Sequence, residues 1–318
     1  MSALLSFSTG LIGDLRASPC NFVVTGANGW LGSATLTMLR HALGDDFAKH
    51  VTALGSRQSH SVQAMFEWKP PHGQPLIIFH YAFLTKDRVS GLSTRDYVER
   101  NEAISNLVRS WIESSNVIGV VLPSSGAVYD HLRTQARDPS ACLYGQLKFK
   151  DELDFTAACE SHDTRLIIAR VFNLSGPYIN KFDSYALSSF VQQVIRRQPI
   201  TIHARHPVFR SYYFIGDLLE LCVRLLFKPS TERTEYFDVA GDEIIELGEL
   251  ALRVVKVLSD NMPIVIHRQP MFSGDVTDRY IGNSDRIKEL EIGFGMHPMT
   301  LDRQIELTSQ YIQRVLRN

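Results

Sequence analysis

The sequence predicts an α/β fold in which a doubly wound parallel sheet is followed by a smaller C-terminal α/β lobe. Two observations support this prediction. Through the first 170 residues, short apolar runs alternate with longer amphipathic ones, which is typical of parallel strands joined by crossover helices. Beyond residue 176, helical stretches alternate with short apolar strands, as expected of a second, smaller α/β layer.

Each element follows from the length and period of its apolar residues. Strands are predicted at 21–25, 50–54, 75–80, 117–122, 165–170, 199–203, 235–239 and 263–268, with a remnant strand within 62–68. Helices are predicted at 30–43, 94–115, 144–161, 184–197, 216–227, 246–258 and 299–317. The stretch 94–115 repeats its apolar residues at close to 3.6 positions, so we expect this helix to pack on the sheet.

Composition excludes several classes of protein. The chain has 318 residues, a net charge of -1 and 44% hydrophobic residues, enough for a packed core. It lacks a polybasic tract, so we expect no nucleic-acid partner and no membrane surface. No apolar run reaches the ~18 residues that a membrane span needs. Four scattered cysteines suggest reduced thiols in a cytoplasmic protein and no metal site, and residues 1–20 make a poor signal peptide.

A glycine-rich turn follows the first predicted strand. Gly26, Gly29 and Gly32 stand at three-residue spacing between this strand and a helix. Glycines there allow a tight turn and close approach of the backbone to a pyrophosphate, which the helix N-terminus then binds through its N–H groups. The spacing therefore predicts a dinucleotide site, and a turn needed only for packing is the alternative.

A tyrosine and a lysine one helical turn apart form a second candidate site. Tyr144 and Lys148 share a face of the predicted helix 144–161. A free phenol has a pKa of ~10, and a nearby ammonium lowers it, which favours proton exchange near neutral pH. Ser125, at the end of the preceding strand, could hold a carbonyl oxygen against the phenol. Together with the glycine turn, these residues predict hydride transfer at a carbon bearing oxygen rather than an accidental surface pair.

Seven segments occur in the order found in one known family: TGANGWLG, FHYAF, LPSSGAVY, YGQLK, ARVFNLSGP, FRSYYFIGDL and SGDVTDRY. From about residue 21 to 294 the chain resembles an extended short-chain dehydrogenase/reductase, of the type that includes sugar-nucleotide epimerases, dehydratases and ketoreductases. The resemblance implies an N-terminal extension at 1–20, an NAD(P)-binding Rossmann domain at 21–175, and a mainly substrate-binding lobe at 176–318 whose chain crosses back to the sheet. It also implies a homodimer formed through the helices at 94–115 and 144–161.

The resemblance assigns a role to each catalytic residue. Tyr144 is implied as the acid/base, Lys148 as its partner and a ligand of the cofactor ribose, and Ser125, with Gly126, as a substrate-binding residue. Further cofactor contacts are expected within the matching segments from Asn28, Trp30, Leu31, Tyr81, Ala82, Phe83 and Val171, and outside them from Asn101. Phe83 is bulkier than the residue usual at its position.

In the second half, Asn173 and Arg210 match family positions that contact the diphosphate or sugar of the substrate. A guanidinium can bind two oxygens of a diphosphate at once. His80 is expected to be a buried structural residue, and Asp217 to cap the helix that begins there.

The end of the second strand bears on the choice of cofactor. Where an NAD enzyme would have an acid for the ribose hydroxyls, this chain has Gly55, Ser56 and Arg57. An acid would repel a 2′-phosphate, whereas serine and arginine can bind one. The sequence therefore favours NADP, with NAD as the alternative if Arg57 is only a solvated loop residue.

Two family reactions are disfavoured by single residues. Dehydratases have an Asp-Glu pair where this chain has Gly126 and Ala127. The 3,5-epimerase/reductases have a cysteine and a histidine at the positions of Gly126 and Tyr178. Gly126 and Ala127 cannot transfer protons, which disfavours dehydration, and the absence of both the cysteine and the histidine disfavours the second reaction.

The remaining prediction is an NADP-dependent ketoreductase acting on a nucleotide-linked (deoxy)sugar. A nucleotide-sugar 4-epimerase with tightly held NAD is the alternative, and a non-catalytic NADP-sensing protein is an alternative of another class. Phe272 stands where relatives have a nucleotide-binding arginine, and Arg268 or Arg279 could substitute for it.

Overall fold

The computed structural model describes residues 4–85, 91–134, 142–259, 263–272, 274 and 277–317. The helices are α1 (Thr9–Ala17), α2 (Trp30–Leu43), α3 (Phe47–His50), α4 (Thr94–Ser114), α5 (Ala127–Thr134), α6 (Leu143–Ser161), α7 (Ala186–Ile195), α8 (Ile215–Phe227), α9 (Leu247–Leu258), α10 (Asp285–Gly293) and α11 (Leu301–Arg317). None of the helices described is both long and apolar enough to span a bilayer.

The strands are short. They are β1 (Asn21–Thr25), β2 (Val51–Gly55), β3 (Gln63–Ala64), β4 (Leu76–His80), β5 (Val117–Ser125), β6 (Arg165–Val171), β7 (Leu174–Ser175), β8 (Ile200–Ile202), β9 (Val208–Ser211), β10 (Tyr213–Phe214), β11 (Thr234–Val239), β12 (Ile244–Glu246), β13 (Ile266–Arg268) and β14 (Asp278–Tyr280). The predicted strands are present within a few residues of their expected bounds, including the remnant strand β3.

The chain divides into two compact units. The larger unit contains Ser6–Val171 and Glu220–Phe237, and the smaller unit contains Met1–Leu5, Phe172–Leu219 and Asp238–Asn318. The chain therefore leaves the larger unit after β6 and returns to it for most of α8 and the first part of β11.

A seven-stranded sheet forms the centre of the larger unit, in the order β11-β6-β5-β4-β1-β2-β3. The pairs formed among β1 to β6 are all parallel. This order is that of a doubly wound Rossmann sheet, so the predicted fold class is confirmed. The carboxyl ends of β1, β4 and β5 lie at one edge of the sheet, where ligands bind in folds of this kind.

Helices α4 and α6 cover one face of this sheet. Val108 and Trp111 of α4 and Phe155 of α6 are buried against Ile78 and Val120 of the strands. Each fully buried side chain of this size contributes roughly 1.5–3 kcal/mol. The predicted packing of the 94–115 helix on the sheet is thus confirmed.

The first twenty residues contain a helix that the sequence analysis did not predict. Ser8 caps α1, and Leu11 and Leu15 on its inner face are buried. Ser8 is also bound by α8, because its backbone N–H donates to Glu220 and its hydroxyl accepts from Arg224, each at 2.8 Å. Ser8 and α1 are therefore an integral part of the larger unit.

The smaller unit has a helical core of α7, α9 and α11 around short strands. Strands β12, β9 and β14 form one sheet, and two further strand pairs are β10 with β7 and β13 with β8. The predicted capping role of Asp217 is wrong. Helix α8 begins at Ile215, so Asp217 lies inside the first turn, and its carboxylate accepts the Met299 N–H at 2.6 Å.

Candidate active site

The glycine-rich turn connects β1 to the N-terminus of α2. Gly26 has φ +64°, and a Cβ there would lie 2.7 Å from the carbonyl carbon of Tyr81. A Cβ on Gly32 would lie 2.3 Å from the Gly26 oxygen. Gly29 is the N-cap of α2, so no side chain caps the first turn of the helix. An uncapped helix N-terminus behind a glycine turn fits the pyrophosphate of a dinucleotide.

Thr25 organises the loop that faces this turn, and the sequence analysis did not identify it. Its Oγ accepts the N–H groups of Tyr81 at 3.0 Å and Ala82 at 3.1 Å, and lies 2.9 Å from His80 Nδ1. The Thr25 hydroxyl also donates to the Phe79 carbonyl at 3.5 Å. His80 is neutral at pH 7. Burial, together with the charge of Lys148, lowers the pKa of His80 to about 3.

The other end of this loop is held by α4. The Leu84 N–H donates to Asn101 Oδ1 at 2.7 Å, and the Leu84 carbonyl accepts from the Tyr97 hydroxyl at 2.6 Å. Asn101 is 1% exposed, and its amide also donates to the Tyr97 carbonyl at 3.2 Å. The structure thus places Asn101 as a support of the loop, and its contact with a cofactor stays a prediction.

Helix α6 presents Tyr144 and Lys148 on one face. Lys148 is buried, and its Nζ donates to the Pro123 carbonyl at 3.0 Å and lies 3.8 Å from the centre of the Phe83 ring. The half-buried Tyr144 ring meets the same Phe83 ring edge to face, with centroids 5.8 Å apart. Burial lowers the pKa of Lys148, and the carboxylates of Asp151 and Glu152 on the same helix oppose that shift.

Ser125 is buried at the end of β5, beside β6. The Gly126 N–H donates to the Val171 carbonyl at 3.0 Å, and Ser125 Oγ accepts the Ala127 N–H at 3.2 Å. A Cβ on Gly145 would lie 2.1 Å from the Ala127 oxygen, so α5 and α6 approach closely just beyond Ser125. This approach brings the end of β5 next to the tyrosine helix.

A buried ionic network lies behind this helix and was not predicted. Arg170 of β6 binds both oxygens of Glu152, at 2.9 and 2.7 Å, and donates to the Tyr129 hydroxyl at 2.9 Å. Asp151 accepts from Ser105 of α4 at 2.7 Å, and burial raises its pKa. The sequence feature that could have indicated this network is the pair of acids, Asp151 and Glu152, three and four residues after Lys148.

At the end of β2, neighbouring atoms leave little room for an acidic side chain at the position of Gly55. A Cβ on Gly55 would lie 2.8 Å from Val62 and 3.4 Å from the Asn28 amide nitrogen. The short β3 segment therefore fills the space that a longer side chain would need. Ser56 and Arg57 follow with exposed side chains. Their contact with a 2′-phosphate stays a prediction.

The smaller unit brings its two predicted substrate residues to β14. Asn173 donates to the Tyr280 carbonyl at 3.1 Å. Arg210 pairs with Tyr280 in the strand register and binds both oxygens of Asp278, at 3.1 and 2.7 Å. Arg210 would have to exchange this carboxylate for a diphosphate, so its role as an anion ligand stays a prediction.

Arg268 and Arg279, the two arginines that could substitute for the nucleotide-binding arginine of relatives, make different contacts. Arg268 binds both oxygens of Glu246, at 2.8 and 2.7 Å, and donates to the His206 carbonyl at 3.1 Å. Arg279 instead lies over the Phe209 ring at 4.9 Å. Arg268 therefore serves mainly to link β13 to the start of α9.

The sheet order and the glycine turn place the protein in the class of Rossmann-type dinucleotide-binding proteins. A family model described as "NAD dependent epimerase/dehydratase family" matches residues 22–240. The chain belongs to this family, which confirms the resemblance found in its sequence motifs.

Curated relatives match parts of the chain. UDP-glucuronic acid decarboxylase 4 of Arabidopsis thaliana is 32% identical over 97 residues, which are 30% of this chain and 21% of that protein. A "Probable UDP-glucuronate 4-epimerase" of Rhizobium meliloti (strain 1021) is 24% identical over 231 residues, 64% of this chain and 65% of that protein. The chain thus matches about a fifth of the first relative's length and less than two thirds of the second's.

Solved structures share the fold over nearly the whole chain. UDP-N-acetylglucosamine 4-epimerase from Methanobrevibacter ruminantium M1 has a TM-score of 0.70 at 17% identity and covers 93% of this chain and 98% of its own. UDP-glucose 4-epimerase from Thermotoga maritima has a TM-score of 0.67, also at 17% identity, with coverage of 93% and 99%. At these identities the likeness supports the fold alone.

Proposed function

We propose that the protein transfers hydride at a single carbinol or ketone carbon of a nucleotide-linked sugar, as an NADP-dependent ketoreductase. The observation that supports this best is the placement of Tyr144 and Lys148 against one aromatic ring, next to the strand that ends in Ser125. The names of the relatives, which are enzymes of UDP-sugars, support the substrate class.

The chain's own residues handle the proton and the binding. Tyr144 donates its phenolic proton to the carbonyl oxygen during reduction and accepts it from the hydroxyl during oxidation. The Lys148 ammonium favours the phenolate form of Tyr144, and Ser125 donates a hydrogen bond to the same substrate oxygen. The α2 N-terminus and the turn from Gly26 to Gly32 hold the dinucleotide, whose nicotinamide ring supplies or accepts the hydride when bound.

The test of this function is a screen for nicotinamide turnover. The purified protein is mixed with NADPH or NADH and 4-keto nucleotide sugars, or with NADP+ or NAD+ and 4-hydroxy nucleotide sugars, and the absorbance of the reduced nicotinamide is followed together with the sugar products. A ketoreductase consumes one NADPH for each sugar reduced. If no nucleotide sugar is converted and no nicotinamide is oxidised or reduced, the proposed function fails.

A 4-epimerase is the second candidate, because the Rhizobium relative bears that name. Both reactions use the same three side chains. An epimerase converts the sugar with no net change in absorbance and retains its cofactor through purification. Release of tightly bound NAD from the denatured protein would therefore favour this candidate over a reductase.

Arg57 provides a prediction about cofactor choice. If Ser56 and Arg57 bind a 2′-phosphate, NADPH should bind about 10- to 150-fold more tightly than NADH, because a charge-assisted contact contributes ~1.5–3 kcal/mol. Added salt should shrink this margin. Arg57→Ala should remove most of it and leave NADH binding nearly unchanged, as measured by titrating both cofactors at two salt concentrations.

A matched control is Arg95→Ala, because the Arg95 side chain is 84% exposed and pairs with Glu99 on α4. This variant should retain the wild-type preference for NADPH over NADH. Equal affinities of the wild type for the two cofactors would contradict the NADP assignment and remove the main reason for preferring a reductase.

We also propose that α4 and α6 form a homodimer interface. Their outer surface carries a groove of about 450 Å³ lined by apolar side chains, including Val98, Leu143 and Leu153, and by polar ones, including Glu102 and Lys150; Leu153 is 57% exposed. Leu153→Glu would replace apolar surface in this groove with a carboxylate that must be desolvated on association, and it should weaken the dimer at least about tenfold. Leu252→Glu on α9 is the control, since Leu252 is 62% exposed. Analytical ultracentrifugation measures the dimer dissociation constants of the wild type and both variants. A wild type that is monomeric would refute the interface.

A further inference from the structure

Phe83 stands between the two groups assigned to proton transfer. The face of its ring lies 3.8 Å from the Lys148 ammonium nitrogen. The Tyr144 ring meets it at 78°, with centroids 5.8 Å apart. One aromatic ring thus contacts both members of the Tyr–Lys pair.

The backbone on each side of Phe83 is fixed. The preceding residue, Ala82, donates its N–H to Thr25 at 3.1 Å. The following residue, Leu84, donates to Asn101 at 2.7 Å. The Phe83 ring also packs against a buried apolar cluster formed by Tyr97, Leu143 and Leu147. Since the main chain and the ring are both restrained, the ring offers a fixed surface.

The Lys148 ammonium is removed from water, and an aromatic face can stabilise its charge. It is buried, and Pro123 accepts one of its three N–H groups. Among the residues that the structure describes, no carboxylate forms an ion pair with it: Asp151 accepts from Ser105, Glu152 pairs with Arg170, and both act on the ammonium only at longer range. The aromatic face therefore replaces part of the solvation that the cation loses on burial.

We propose that Phe83 is a positioning residue that holds the Lys148 ammonium by a cation–π contact and holds the Tyr144 ring at its working distance from that ammonium. This inference rests on the proposed hydride-transfer function and deepens it. Phe83 itself moves no proton; it acts through Lys148 and Tyr144.

The test changes the electrostatics of the ring and keeps its shape. Mono-, di- and trifluorophenylalanine at position 83 progressively remove the negative potential of the ring face. We expect kcat to fall stepwise, to about a tenth of the wild-type value or less with the trifluoro ring. The same series at Phe66, which is 61% exposed, is the control and should leave kcat unchanged.

A second measurement does not depend on turnover. The side-chain NMR signal of Lys148, assigned by its loss in Lys148→Arg, gives the pKa of the amine in the cofactor-free protein. Removal of the ring potential disfavours the charged form, so the pKa of Lys148 should fall by about one pH unit across the series. The other charged and titratable groups near Lys148 are unaltered in every variant: His80 on β4, Tyr144, Asp151 and Glu152 on α6, and Arg170 on β6.

The two measurements separate failure of the inference from failure of the proposed function. If the wild type converts no nucleotide sugar, the proposed function fails, and the NMR titration still tests the contact between Phe83 and Lys148. A kcat or a Lys148 pKa that stays constant along the series overturns the proposal. Faster turnover or tighter cofactor binding in Phe83→Leu also overturns it, because the ring would then be an obstruction.

Discussion

Replacement of Tyr144 by phenylalanine should lower kcat by about 10²- to 10⁴-fold, the range expected when a general acid–base group is lost. The variant keeps the aromatic ring and therefore the edge-to-face contact with Phe83, at 5.8 Å between centroids. It loses only the hydroxyl that exchanges a proton with the substrate oxygen. Cofactor affinity should be largely retained, so the loss should occur in kcat and not in cofactor binding.

The matched control is Tyr236→Phe, because Tyr236 is 62% exposed and phenylalanine keeps the ring that lies over Arg170, so that again only a hydroxyl is lost. Steady-state rates of both variants and the wild type, together with cofactor titrations, make the comparison. A Tyr144→Phe rate within about threefold of the wild type would remove this tyrosine from the mechanism, because threefold is only ~0.65 kcal/mol.

Gly32→Ala should have the second large effect. The added methyl group would lie 2.3 Å from the Gly26 oxygen and 2.8 Å from the Ala27 Cα, both of them backbone atoms that cannot rotate away. The start of α2 must therefore move relative to β1. Overpacking of this kind costs roughly 1–3 kcal/mol of stability. Loss of one or two charge-assisted N–H contacts to the pyrophosphate should weaken cofactor binding by roughly 10- to 10³-fold.

Gly13→Ala provides the control for this glycine. It lies within α1, where a Cβ would meet nothing within 4 Å. Alanine should stabilise this helix by roughly 0.5–1 kcal/mol and leave cofactor affinity unchanged. Thermal unfolding and cofactor titration of both variants measure the two effects. Wild-type cofactor affinity in Gly32→Ala would show that the turn does not bind the dinucleotide.

The parts of the fold that could be predicted depend on local patterns. Helix α2 was predicted at its observed bounds because a buried strand, three spaced glycines and an amphipathic run follow one another directly. Tyr144 and Lys148 are one helical turn apart, so their shared face required no knowledge of the tertiary fold. The short β3 was also visible as a weak apolar run.

The parts that escaped prediction depend on distant residues. Thr25 bonds to the loop after β4 only because β1 and β4 pair in the register that places Thr25 beside His80. Arg210 meets Asp278 because β9 and β14 pair, and each of these strands is too short to show a period. Sequence spacing does not contain this information, since the partners are 55 and 68 residues apart.

The return of the chain to the larger unit has a consequence for the order of events on the ribosome. Strand β6 is synthesised early, but its neighbour β11 ends only at Val239, after the chain has passed through part of the smaller unit. At about 5–20 residues per second, the edge of β6 stays unpaired for roughly 3–14 s of synthesis. An open strand edge is a template for pairing with other chains. The nascent protein therefore passes through an aggregation-prone interval, and a fragment ending at residue 175 would remain in it permanently.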